Sequence, residues 1–311
     1  MHYVMSECDP HIRTVVPCGC MCDILYDEKW SGCGDQLWRL LFVDTETTGL
    51  DLDNDRAWEF GAVMVDVDIV FGHVVAIVDR IQQLEDPSVP ISPEVADLCR
   101  VDPASLSGKK FDRKVIRDAI DRADIVIAHN AIFDWRMTRY ILGADMPDTM
   151  WIDSRRLGIP GHESSNKQEL LALMNGFLYA DKHRALDDAA ALALLVCWPR
   201  SDGLEVPAVR IDDEASTDEV LCGVRIPFDC KDALKANGGW NWDALSKIWW
   251  KSTRGTTFDA VRQEAERCGS YSTLQCVIAP DEKFLIGSNF LRLRWSSDTT
   301  SSATIRGARH A

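Results

Sequence analysis

Between Gln36 and Pro199 short apolar runs alternate with stretches of helical spacing. Trp38-Arg-Leu-Leu-Phe-Val43 is a compact apolar run ended by acids, the pattern of a buried strand. Ala57 to Val67 and Gly72 to Ile81, rich in Val and Ile, predict two further strands. Phe111 to Arg122 has helical spacing, and Asp124-Ile-Val-Ile-Ala-His129 predicts another buried strand, followed by a helix from about Ile132 to Leu142. Lys167 to Gly176 and Leu186 to Trp198 also have helical spacing. This alternation predicts an α/β layer architecture with a mixed sheet.

The rest of the chain divides by composition. Residues 1–35 form a cysteine-rich leader, 36–199 the α/β domain, and 200–220, with seven acids and little periodicity, an acidic linker. A small α+β unit is expected over 221–293, and its centre, Gly238 to Trp250, holds four of the eleven tryptophans. The tail, 294–311, is basic and rich in Ser and Thr, a composition that predicts disorder.

Charge narrows the function. With Lys+Arg 34 against Asp+Glu 49, the net charge is −15. That argues against a protein that grips nucleic acid by bulk electrostatics. It leaves open an enzyme whose bound divalent cations reverse the local sign. No run of about 18 apolar residues is present, and the first residues lack a basic stretch followed by an apolar one, so a cytoplasmic protein without membrane contact is expected. Cys8, Cys18, Cys20, Cys22 and Cys33, with His2 and His11, invite a zinc reading, but Cys18-x-Cys20-x-Cys22 lacks the paired C-x₂-C spacing of structural zinc.

Three clusters carry candidate chemistry. Asp44 and Glu46 close the first strand, and residues i and i+2 project from one face. Both carboxylates can therefore reach one point, the alternative being an ordinary acidic turn. Thr47-Thr48-Gly49 then turns the chain, with Gly49 permitting close backbone approach to a ligand. His129-Asn-Ala-Ile-Phe-Asp134 spans a strand-to-helix junction, where Asp134 is either functional or a helix cap. In His183-Arg-Ala-Leu-Asp187-Asp188, a single helix would set His183 and Asp188 about 140° apart. The histidine must then precede the helix on a loop, free to act as a general base, while Asp188 projects from the first turn.

Together these residues resemble the DEDDh 3′–5′ exonucleases, the family of the proofreading epsilon subunit of bacterial replicative polymerase and of ribonuclease T. The resemblance runs from about Leu40 to Cys197, half of the chain, and includes Glu59-Phe-Gly-Ala-Val, Pro90-Ile-Ser-Pro-Glu94 and Ile152-Asp153-Ser154 between the three motifs. It implies an RNase H-like three-layer fold with a central mixed sheet. It implies that Asp44, Glu46, Asp134 and Asp188 hold two divalent cations, Mg²⁺ or Mn²⁺, and that His183 is the base. It also implies release of nucleoside 5′-monophosphates from the 3′ end of single-stranded DNA or RNA. Thr47, Thr48 and Gly49 would line the path of the 3′-terminal nucleotide. Glu59 would either approach that 3′ end or serve structure, and His129 and Asn130 would be scaffold. Asp188 rather than Asp187 matches the family pattern.

Since no polymerase domain is recognisable in the chain, proofreading would require a polymerase or other partner in trans. The competing readings are a non-catalytic or partner-activated nucleic-acid-binding protein of the same fold, and an exonuclease restricted to short RNA or signalling oligonucleotides. The tryptophan-rich unit resembles a short module of poorly defined function. Its tryptophans either build a small core or, through Trp242 or Trp250 with Lys247, Lys251 and Arg254, stack on single-stranded bases.

Overall fold

The computed structural model describes residues 37–286 except 52, 163, 176–182, 198–205 and 245. The expected leader and basic tail lie outside the described residues. The chain divides into two compact units, the first ending at Glu214 and the second starting at Ala215.

The first unit opens with β1 (Leu37–Thr47), β2 (Ala57–Asp68) and β3 (His73–Leu84). Next comes α1 (Pro93–Cys99), started by Pro93 and capped by Ser92, whose hydroxyl accepts from the Val95 amide. In α2 (Arg113–Asp121) the Asp112 carboxylate takes the Lys114 and Val115 amides. Then follow β4 (Ile125–Ala128), α3 (Ala131–Leu142), β5 (Met150–Asp153), α4 (Gln168–Met174), α5 (Ala185–Cys197) and α6 (Ile211–Ser216). The five-stranded sheet has the order β3-β2-β1-β4-β5. β1, β2 and β3 are antiparallel neighbours, while β4 and β5 run parallel to β1, so the sheet is mixed as the sequence predicts.

Helices cover both faces, and Leu40, Leu41, Phe42 and Val43 are all fully buried, which explains why β1 reads as an unbroken apolar run rather than an alternating one. The alanine-rich α5 is buried along most of its length and packs on β1 and β2. Two elements escape the sequence reading. β5 is four residues long, too short to show a period, and α1 spans only seven residues, Pro93 to Cys99.

The acidic stretch also differs from expectation. Residues 207–210 form a 3₁₀ turn that leads into α6; Pro207, Ala208 and Ile211 are buried, and Glu214 is buried against Arg156. Its acids suggested a solvated linker, yet the interleaved Val206, Pro207, Val209 and Ile211 supply an apolar face, and Val206 and Val209 close on Gly72. This part of the chain is built into the first unit.

The second unit comprises β6 (Glu219–Arg225), α7 (Lys231–Ala236), β7 (Asn241–Asp243), β8 (Ile248–Ser252), α8 (Phe258–Arg267) and β9 (Ser272–Ile278). Its antiparallel sheet has the order β7-β8-β6-β9. Strand alternation splits the core between two faces. Leu221, Ile248, Cys276 and Ile278 gather with Trp250 on one, and Cys222, Val224, Leu234, Trp240, Val261 and Ala265 gather with Trp249 on the other. Three of the four central tryptophans thus serve the core, whereas Trp242 is 49% exposed. Trp250 and Lys251 are therefore not a stacking platform: the indole packs on a core cluster, and the ammonium lies 3.0 Å from Glu264.

Among the described residues no helix is long and apolar enough to cross a membrane.

Candidate active site

The central strand ends in the site. In β1, Asp44 stands opposite Gly61 of β2 and Glu46 opposite Glu59, and the register slips between Glu46 and Thr47. Such a bulge turns the chain away just past the two acids and leaves them at the strand's carboxyl end.

Gly61 brings in the third acid. A β-carbon on Gly61 would run into the backbone of Ala185 and Leu186, so the first turn of α5 rests directly on β2. Asp188 lies in that turn, and one carboxylate oxygen from each of Asp44, Glu46 and Asp188 lies within 4.8 Å of the others. Asp187 is outside this group. His183 sits two residues before α5 with φ 64°, and its backbone amide donates to the Asp188 carboxylate at 2.7 Å. The histidine's position is thus tied to one of the clustered acids.

Asp134 arrives from the other side of β1, in the first turn of α3. It is 3% exposed and accepts a 2.8 Å hydrogen bond from the Thr45 hydroxyl. It does not cap the helix: the N-cap is Asn130, left-handed at φ 69°. Asp134 lies outside the three-acid group yet near enough to repel Asp44 and Glu46.

The electrostatics follow from crowding. Asp44 keeps an edge toward solvent but is ringed by protein atoms; burial and repulsion from Asp188, Asp134 and Glu46 push its carboxyl well above the usual range. Burial and Asp188 push Glu46 up to about 7, against the opposing pull of a hydrogen bond from the Cys99 thiol at 3.3 Å. Burial pushes Asp134 up to about 7, against the opposing Thr45 hydrogen bond. Among the described residues the nearby cation Arg184 is already committed. It makes a two-pronged pair with Glu59 at 2.9 and 3.1 Å. Oxygen donors this close, with Asp44 and Glu46 held above their normal range by burial and by neighbouring acids, suit a hard divalent cation.

The remaining predicted residues have partners within the protein. Glu59 is fully buried, with both carboxylate oxygens held by Arg184 and one of them also by Gln82. Thr47 donates to the Gly49 carbonyl at 2.6 Å, and Thr48 donates to Asp55 at 2.8 Å while accepting from the Arg56 amide. What approaches Gly49 closely is the Asp55 carboxylate, which fills the space a side chain would need. These contacts fix the shape of the turn beside the acids. His129 bridges Ser154 at 2.8 Å and the Asn166 carbonyl at 2.6 Å, and burial lowers its affinity for a proton.

Sequence reasoning passed over Gly61, Arg184, Thr45 and Cys99. Only Gly61 carried a readable signal, since a glycine inside a Val-rich strand marks close approach of another backbone.

Comparison with known proteins supplies the class. A family model for exonucleases of the RNase T type matches residues 41–196, and the chain belongs to that family. With its mixed sheet and acidic site, it is a DEDD-type exonuclease of RNase H-like fold. Among relatives, a PolC-type DNA polymerase III of Thermotoga maritima is 30% identical over 201 residues, covering 61% of this chain and 13% of the polymerase. Its counterpart in Thermotoga petrophila is 28% identical over the same shares. The chain thus spans only about an eighth of these relatives' length. Similar solved structures include an Escherichia coli ExoI–ssDNA complex, at 17% identity and TM-score 0.45, covering 61% of this chain and 48% of that one. Exonuclease X in complex with 5′ overhanging duplex DNA is similar at 26% identity and TM-score 0.38, over 54% and 99%.

Proposed function

We infer that the chain is a metal-dependent 3′–5′ exonuclease of the DEDDh kind, acting on single-stranded DNA or RNA. The observation that carries this reading is the convergence of Asp44, Glu46 and Asp188 within 4.8 Å, from a strand and a helix far apart in sequence. These three, with Asp134, would hold two cations, Mg²⁺ or Mn²⁺. When bound, the cations would supply Lewis-acid stabilisation of the charge that develops on the phosphodiester oxygens. His183 would accept a proton from the attacking water. The water oxygen bonds to phosphorus as the bond to the 3′ oxygen of the preceding nucleotide breaks. That oxygen takes up a proton, and a nucleoside 5′-monophosphate leaves. Glu59 and Arg184 position this machinery by locking the start of α5 to β2. The likeness to part of PolC-type DNA polymerases supports a DNA strand as substrate and a polymerase as partner.

The test uses 5′-labelled single-stranded DNA and matching RNA, with Mg²⁺, Mn²⁺ or EDTA, beside Asp44→Asn. The expected result is a ladder shortening from the 3′ end that needs metal and vanishes in the variant. Strand binding without shortening, in every metal, would favour the non-catalytic reading.

A further inference from the structure

The second unit carries a groove of about 490 Å³ whose lining has one sign of charge. Arg225, Lys231, Lys235 and Lys247 line it, and no carboxylate does, in a chain with a net charge of −15. None of the four forms an ion pair among the described residues. Elsewhere in the same unit Lys251 is paired with Glu264, and Arg262 with Asp259 and Glu266. Charge alone would be satisfied by water and salt. The aromatic rings are not. Phe228 is 76% exposed and Trp242 49% exposed in the same groove, and neither is needed by the core clusters. Trp242 leans on Trp249 with ring centroids 5.2 Å apart at 47°, which steadies the indole. The Lys231 ammonium sits 3.5 Å from the centre of the Phe228 ring, and that of Lys235 is 5.5 Å from the Trp249 ring.

We propose that this groove binds single-stranded nucleic acid, with bases stacked on Trp242 and Phe228 and phosphates held by the four cations. Flat rings exposed beside cations that no carboxylate among the described residues neutralises match a polymer of flat bases joined by anions. A duplex hides its base faces, and a run of Asp and Glu side chains offers no rings to stack. The site needs no metal, so it stands apart from the hydrolysis inferred above.

The test uses full-length Asp44→Asn in EDTA, so that no strand is degraded. Binding of labelled dT and rU dodecamers is followed by anisotropy across a salt series. The groove as it stands should bind the single strands more tightly than a duplex, with a log–log salt slope of about −3 for four phosphate contacts. Trp242→Ala should weaken binding about tenfold. Lys231→Glu with Lys235→Glu should weaken it further and flatten the slope. In the otherwise wild-type chain with Mg²⁺, both sets of substitutions should leave thermal midpoints and dinucleotide hydrolysis unchanged. Unaltered strand affinity in both variants would overturn the proposal while leaving the exonuclease reading intact. Displacement of the strand by polyglutamate of equal length, at equal affinity, would overturn it in favour of an acidic peptide. Groove-dependent binding by a chain that shortens no strand would uphold it and overturn the exonuclease reading.

Discussion

The two units hold like charge in opposite senses. In the first, Asp44, Glu46 and Asp188 crowd their oxygens within 4.8 Å, with Asp134 adding to the repulsion. In the second, four cations line one groove without an ion pair among the described residues. Both units also contain charge that is spent on structure, and there it is paired: Arg184 with Glu59, Arg155 with Asp153, Lys251 with Glu264. The contrast separates scaffold from site. Paired charge holds elements together, whereas clustered charge of one sign costs stability and marks where a ligand of the other sign completes the arrangement.

The sharpest way to break this contrast is Asp44→Asn. Hydrolysis should fall about 10³-fold or more, yet the thermal midpoint of the metal-free protein should rise, because the buried, crowded carboxyl that folding disfavours is gone. A loss of both would make the cluster structural. Arg184→Met leaves Glu59 buried without its cation, and urea unfolding should show a cost of about 3–5 kcal/mol; adding Glu59→Gln should recover much of it. Gly61→Ala forces α5 away from β2, at about 1–3 kcal/mol in stability and up to about 10²-fold in turnover.

A pH series on the metal-free chain comes next. Glu46 and Asp134 hold protons up to about 7 when folded, whereas unfolded carboxyls lose theirs near 4. The folded state therefore binds more protons across that window. The stability these two groups contribute should be greatest below the unfolded values and should be lost as pH rises through about 7, a slope that added Mg²⁺ should flatten. The smallest effect expected is Trp242→Ala, which should change stability by no more than about 0.5 kcal/mol, while Trp240→Ala, in the core and bonded to Glu264, should cost about 3–5.

Much of this arrangement was legible in the sequence. β1 and β4 announce themselves as apolar runs because both faces of the sheet are covered, and the i, i+2 spacing of Asp44 and Glu46 is a local property of a strand. The break between His183 and Asp188 was legible too, since helix geometry forbids one continuous turn from serving both. What stayed hidden depends on contacts between distant segments. Nothing local to Glu59 says that Arg184, 125 residues away, will take its carboxylate. Nothing local to Val206–Ile211 outweighs the surrounding acids, although those apolar residues fold the stretch onto the first unit. In the second unit, the sequence pairs Trp250 and Lys251 as readily as Trp242 and Lys247. Strand alternation and Glu264 decide between them, turning the first pair to structure and leaving the second in the groove.

The claim that the clustered acids are completed by a cation is tested most directly by melting the chain through a Mn²⁺ titration, beside Asp188→Asn. The account predicts a saturable rise in the wild-type midpoint that the variant loses, from a metal-free baseline that starts higher in the variant. Equal shifts in both proteins, or none in the wild type, would contradict it.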